Sequence, residues 1–334
     1  MARFCVSGLN GRRQPRGRIR FWAWLPAFAL SLSAICYPPV PIKAQPVEEP
    51  VTAAQHIARN RDLIKDAARL QLTPLQIGGL WAQMASDYQD LGEFGESESA
   101  YNRALGLLEN EPSAQKAYAV TLSNLASVYT MTLRFDAAEN CLKRSLAVLE
   151  KLNDPLMMAR AQGHMTDLYL AAGKNKEAAR YATLAAHGVE TVPGATNEDK
   201  GSVLIGYAYA SCLTQHCDEG LEAAREAMKI VSASYAAESF PAGQAHLVLG
   251  FAESKTGASE AAEEELREGL RILRLRLPPS HPLVIHAMDL YRRYLSDNHR
   301  EREAKRIAEE QKEAREKDRN CSRCTVSVYG LRGH

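Results

Sequence analysis

The sequence has none of the short motifs that usually mark a catalytic chain. It contains no HExxH, no GxSxG, no glycine-rich phosphate loop and no paired cysteines at zinc-finger spacing, so the common hydrolase, nucleotide and zinc chemistries have no starting point. The apolar run FWAWLPAFALSLSAIC spans only residues 21–36, with Pro26 inside it, short of the ~20 apolar residues a membrane-spanning helix needs. Residues 1–44 hold no acid at all, but they carry the cations Arg3, Arg12, Arg13, Arg16, Arg18, Arg20 and Lys43. The whole chain has 41 Lys+Arg and 40 Asp+Glu, so removing those seven cations leaves 34 against 40, a net charge of −6. A body of that sign binds polyanions poorly, which argues against nucleic acid as a partner. Aromatic residues are sparse, at 7%. Ala, Leu and Glu dominate instead and favour helix over sheet, because they lose little rotamer freedom in a helix.

An arginine-rich start, an apolar run and then PPVPIKAQP read together as a secretory signal peptide over residues 1–44. Cleavage is expected after Ala44 or after Ala34, leaving a periplasmic or secreted chain without stable membrane insertion. An uncleaved anchor, or a start codon assigned too far upstream, are the alternatives. Five cysteines then remain, Cys141, Cys212, Cys217, Cys321 and Cys324, and an odd number cannot pair completely. Cys141 falls in the apolar stripe of a predicted helix, where a thiol acts as a small core hydrophobe. Cys212 and Cys217 flank His216 at a turn, either as a disulfide closing it or as two free thiols. Cys321 and Cys324 form CSRC in a C-terminal tail, 316–334. A short-loop disulfide, a redox pair and a metal pair are all open there, although no second pair accompanies it. The alternation Thr325–Tyr329 would suit a strand added to a partner's sheet.

What the chain does have is repetition. Small residues following a short turn recur at Ser97, Ala138, Ala178, Gly220, Ala262 and Ala304, spaced 40 to 42 positions apart. A linker and capping helix, 45–73, comes first: apolar residues at helical spacing predict one helix from the cap Thr52 through about Gln71. Thr73 and Pro74 open the next helix, which runs to about Leu91, and Gly92 closes it. Large residues then share one helical face at offsets of three and four, as in Trp81, Met84 and Tyr88, or Leu122, Leu125 and Tyr129. The third unit keeps this less perfectly at Gln162, Met165 and Tyr169. In the later units Leu204, Tyr207, Leu249, Gly250, Ala262 and Leu266 mark the same face. Pro74, Pro112, Pro155, Pro193, Pro241 and Pro282 are each expected just before a unit's first helix, where a missing N–H costs little. Arg292 stands where a small residue is due, which suits a terminal unit whose outer face meets water.

Trp81, Met84, Ala85, Tyr88, Ser97, Tyr101 and Ala104 resemble the tetratricopeptide repeat, as do Leu122, Leu125, Ala126, Tyr129, Ala138, Leu142 and Ser145. The long unit and the phrases LSNLASVY and LPPSHPLV are similar to the subtype of kinesin light chains. The resemblance covers about residues 74–315. It implies an all-α, right-handed superhelical solenoid of about six antiparallel helix pairs, and a non-catalytic scaffold that holds a peptide or protein segment in its concave groove. First helices line that groove in such arrays. The implied contacts here are Gln83, Ser86, Gln89, Asp90, Asn124, Ser127, Met131, His164, Asp167, Tyr209 and Phe251. No cluster of Lys or Arg is present among them to clamp a terminal carboxylate. His164 with Asp167, and His286 with Asp289, could also form acid–base or metal pairs, and His281 is placed to cap a helix. No cofactor or metal is expected. A cytoplasmic regulatory module and a thiol-redox protein using Cys321 and Cys324 are the competing readings.

Overall fold

The computed structural model describes residues 52–257 and 259–319. Among them lie thirteen α-helices: α1 Ala53–Lys65, α2 Pro74–Asp90, α3 Phe94–Leu108, α4 Gln115–Met131, α5 Phe135–Lys151, α6 Pro155–Ala171, α7 Asn175–Thr191, α8 Asn197–Leu213, α9 Cys217–Ser234, α10 Phe240–Thr256, α11 Ser259–Arg276, α12 Pro282–Asp297 and α13 Glu301–Arg319. A 3₁₀ turn, Pro112–Ala114, leads into α4. From α2 onward the helices pair as six successive hairpins stacked in a superhelix, as the repeat requires.

The caps explain where the helices begin. Thr52 and Thr73 each accept a hydrogen bond from the backbone N–H three residues on, while Gln55 and Gln76 reach back to the cap; two donors without helical partners are satisfied at each end. α1 is shorter than the pattern suggests. It stops at Lys65, and residues 66–71 form turns ending at Gln71, whose φ is +52°. The prolines also differ slightly from expectation. Pro74, Pro155, Pro241 and Pro282 lie inside the first helical turn rather than before it, where the backbone N–H has no partner in any case. Pro112 opens the 3₁₀ turn and Pro193 precedes α8. At the other end, α13 continues past residue 315 to Arg319.

One turn design is used six times. Gly92, Leu133, Gly173, Gln215, Gly257 and His299 all have positive φ, and each lies five residues before its unit's small residue. At five of these turns the N–H after the left-handed residue returns to the position that is tyrosine in the early units: Glu93 to Tyr88, Arg134 to Tyr129, Lys174 to Tyr169, His216 to Ser211 and Arg300 to Leu295, at 2.8 to 3.0 Å. This closes the first helix of the pair. The small residues then let the second helix fold back closely. Ser97, Ala138, Ala178 and Ala262 are fully buried, and a Cβ on Gly220 would sit 2.8 Å from the Ala208 carbonyl oxygen. The bonded sulfurs of Cys212 and Cys217 bridge the α8–α9 turn. Cys141 is buried and unpaired, and burial pushes its thiol up. Cys321, Cys324, residues 1–44 and the 325–329 alternation lie outside the described residues.

Successive units are joined by a polar clamp on top of the apolar packing. Tyr129 donates to Glu98 Oε1 at 3.0 Å while Arg134 pairs with Glu98 Oε2 at 2.7 Å and covers the tyrosine ring at 4.3 Å. Glu139, Tyr169 and Lys174 repeat this arrangement one unit later. At the last junction Glu263 again accepts from a tyrosine and pairs with an arginine, but the tyrosine is Tyr291, one turn before the equivalent position Leu295. In the fifth unit Glu253 takes the tyrosine's place; it is buried, its carboxyl is raised by burial, and its Oε2 has no partner. Arg292, in the small-residue position of the last unit, is half-buried and pairs with Asp289 at 2.7 Å.

The superhelix touches itself. Phe94, at the start of α3, meets the ring of His281, before α12, with centroids 5.7 Å apart, and both residues are buried. A Cβ on Gly92 would lie 3.8 Å from Pro278. One superhelical turn is therefore complete between the first unit and the start of the sixth, and the inner faces of the first helices enclose a channel.

Candidate functional site

Four contacts join inner-face residues of different units, in two groups covering units one to three and units four to six. Gln89 Nε2 approaches Met131 Sδ at 3.7 Å, linking units one and two. Ser127 Oγ lies 3.1 Å from His164 Nδ1, linking units two and three. Tyr209 packs against Phe251 at 4.7 Å and edge-on against His286 at 5.6 Å, linking units four, five and six. Of the expected groove residues, Gln83, Asp90 and Asp167 are exposed, and Gln89, Asn124, Ser127, Met131, His164 and Tyr209 are half-buried.

Two expected contacts have other roles. Phe251 is 8% exposed, held in the core of the last units under Tyr209 and Lys255, so it forms floor rather than open contact. Ser86 hydrogen-bonds the hydroxyl of buried Tyr101, whose pKa burial raises strongly. Gln83 hydrogen-bonds Asp87, a buried carboxylate that α1 also reaches through His56 at 3.6 Å. Sequence periodicity alone did not single out Asp87.

The electrostatics of the channel follow from its enclosure. His164 is lowered to about 4 by burial, so it is neutral at pH 7, where its Nδ1 meets the Ser127 hydroxyl. Asp167, one turn on, opens onto the channel's water but is ringed by protein, and that loss of bulk solvation alone pushes it up to about 7. Asp90 is raised too, by burial and then by neighbouring Asp87. His286 is lowered chiefly by burial. Among the described residues no three His, Cys, Asp or Glu side chains gather as a metal site. A hollow of about 720 Å³ lies at the outer edge between α7 and the α8–α9 turn, lined by Arg180, Tyr207, His216 and Glu219 among others; no expected groove residue borders it.

His281 holds the channel closed. Its Nδ1 accepts from the Leu283 N–H at 3.3 Å, capping α12 as expected, and its ring also hydrogen-bonds the Gln89 backbone at the end of α2. Burial lowers it to about 4. His281→Asn keeps a capping oxygen but not the reach to Gln89, and is expected to cost about 1–2 kcal/mol at pH 7.5. The unfolded histidine titrates near 6.5. Between pH 6.5 and 4 the unfolded chain therefore binds a proton that the folded one refuses, and wild-type stability at this group falls as pH falls. The wild-type advantage should thus shrink by pH 5, as urea midpoints of both proteins at the two pH values will show. A constant gap would mean that the ring is not held neutral.

Residues 76–151, from α2 to the end of α5, match the tetratricopeptide repeat family. No curated protein matches the chain in sequence. Among solved structures, the apo form of RapI is 14% identical with a TM-score of 0.61, covering 80% of this chain and 93% of its own. Aspartyl phosphate phosphatase F from Bacillus subtilis is 10% identical with a TM-score of 0.61, covering 84% and 73%. A Rap protein complexed with competence and sporulation factor is 15% identical with a TM-score of 0.58, covering 79% and 76%. At these identities the likeness is one of fold.

Proposed function

Because the chain is a tetratricopeptide-repeat protein, we propose that it is a non-catalytic scaffold that holds an extended peptide or protein segment along its inner face. The observation that carries this is the lining of the inner face: amide, thioether, hydroxyl and imidazole groups meet across units one to three, and aromatic and imidazole groups across units four to six. Such a surface offers hydrogen bonds and apolar contact along a strand-like ligand without assembling a reacting centre. The Rap protein of similar fold, solved in complex with competence and sporulation factor, supports the same use of the architecture. We further propose that residues 1–44 direct export, supported by their arginines and apolar run.

Co-purification from the native host tests both proposals. A discrete partner should be retained by the wild-type chain, and Asn124→Ala combined with Asp167→Ala should lower its capture at least tenfold. Equal capture by the double variant would place the partner elsewhere. A mature N-terminus near Gln45 in the envelope fraction is the expected result for export, and an intact N-terminus in the cytoplasm would reverse it.

A further inference from the structure

The charges on the inner face are unbalanced, and the imbalance specifies a ligand. Asp167 makes no hydrogen bond or ion pair, and no charged group of α4, α5, α7 or α8 comes close enough to shift it; enclosure alone raises its pKa. His164, its neighbour on α6, is neutral and turned to Ser127. The cations of the first helices are engaged away from Asp167, although Arg293 also acts on Tyr209 and His286 and Lys255 lies over the floor formed by Phe251. Lys116 pairs with Asp154 at 2.7 Å, Arg160 grips Asp199 through two nitrogens, Arg292 and Arg293 both bind Asp289 at 2.7 Å, and Lys255 sits over the Phe251 ring at 5.7 Å. Lys200 lies in the first turn of α8, roughly 14 Å along the helix from Tyr209 at ~1.5 Å per residue. α2 contributes the acids Asp87 and Asp90 and no cation. Asp167 is therefore a carboxylate on the inner face that no cation of these helices neutralises, and it holds the place in its unit that the half-buried Tyr209 holds in the next, six residues before the left-handed turn residue.

Resting on the inner face as the ligand site, we propose that the bound segment is a basic peptide of another protein: a lysine or arginine of that peptide seats on the Asp167 carboxylate, and an apolar or aromatic side chain packs against Tyr209. Adjacent helices lie ~8–10 Å apart and an extended chain rises ~3.3 Å per residue, so the two ligand residues are separated by two or three positions. A carboxylate ringed by protein and without a partner opposes folding, whereas the same carboxylate facing a ligand cation contributes a charge-assisted hydrogen bond. The pair forms only when Asp167 is ionised, so binding strengthens as pH rises through about 7.

Panning a phage library of random twelve-residue peptides against the immobilised full chain at pH 8, followed by fluorescence polarisation with the selected peptides, tests this. The expected binders are enriched in Lys or Arg two or three positions from an aromatic or leucine. They weaken at least tenfold at pH 5.5, and at least tenfold in Asp167→Asn, which also flattens the pH dependence. Asp167→Asn should fold and melt at a higher temperature than wild type at pH 8, which separates lost binding from lost structure. Binders that need Tyr209, as shown with Tyr209→Ala, but ignore Asp167→Asn or show no cation enrichment would overturn the basic ligand and leave the groove reading standing. Binders indifferent to both variants, or no binders at all, would overturn the groove reading with it. Binders that appear only once residues 1–44 are removed would replace the foreign peptide with the chain's own arginines.

Discussion

Gly250→Ala, the addition of a single methyl group, is expected to destabilise the protein by about 3 kcal/mol, at the upper end of overpacking costs. A Cβ at Gly250 would lie 2.8 Å from the Leu266 backbone nitrogen and 2.9 Å from the Ala262 carbonyl oxygen. These atoms belong to the α11 backbone and cannot rotate aside as a side-chain tip can. The contact is two-sided, since a Cβ on Gly269 would meet the Leu247 nitrogen at 2.8 Å and the Gly243 oxygen at 2.9 Å. α10 and α11 therefore touch backbone to backbone at two glycines, and one methyl must push the pair apart. Alanine's better helix propensity, worth ~1 kcal/mol over glycine, works in the opposite direction. Gly79 provides the control: it is exposed in α2 with nothing within 4 Å of an added Cβ, so Gly79→Ala should stabilise by ~0.5–1 kcal/mol. Urea midpoints of the two variants should move in opposite directions. If both move upward, the α10–α11 contact is looser than the structure shows.

Much of this was legible in the sequence, for a physical reason. A helix packed closely against another tolerates only small side chains at the contact, and in a repeat array that demand recurs once per unit, so Ser97, Ala138, Ala178, Gly220, Ala262 and Ala304 revealed the period. Thr52, Thr73 and His281 were legible as caps because capping is local chemistry. The left-handed turn residue was legible where it is Gly92, but not where it is Leu133, Gln215 or His299. There the array's packing imposes a conformation that the residue type does not advertise. The contact of Phe94 with His281 was invisible, because it depends on how far each unit rotates against the last and not on any spacing. The groove was legible only in part. Helical periodicity places Ser86 and Phe251 on the inner side, but it cannot tell that Ser86 is held by Tyr101 or that Phe251 is covered by Tyr209.

Tyr129→Ala is expected to cost about 3–4 kcal/mol, because it removes a buried ring and leaves a cavity between two units. Tyr129 is 8% exposed, packed in the largest apolar cluster, with the Arg134 guanidinium 4.3 Å over its ring and its hydroxyl on Glu98. Those partners belong to different units, Glu98 to α3 of the first and Tyr129 to α4 of the second, so the loss falls on an inter-unit junction. In a solenoid such junctions carry cooperativity, and hydrogen exchange should show the first unit opening more readily than the rest. Tyr129→Phe keeps the ring and loses only the hydroxyl contact, for which about 1 kcal/mol is expected. The ratio of the two losses decides what the clamp contributes. A large loss for Ala with a small one for Phe means that the ring fills the junction and the Glu98 contact mainly orients it. Comparable losses would mean that the polar bridge holds the units together, and Glu98→Gln should then cost as much as Tyr129→Phe and add nothing to it. In the first case the channel's curvature is set by apolar volume at the junctions. The fourth unit, where Ser211 replaces that tyrosine, is then where the superhelix should flex first.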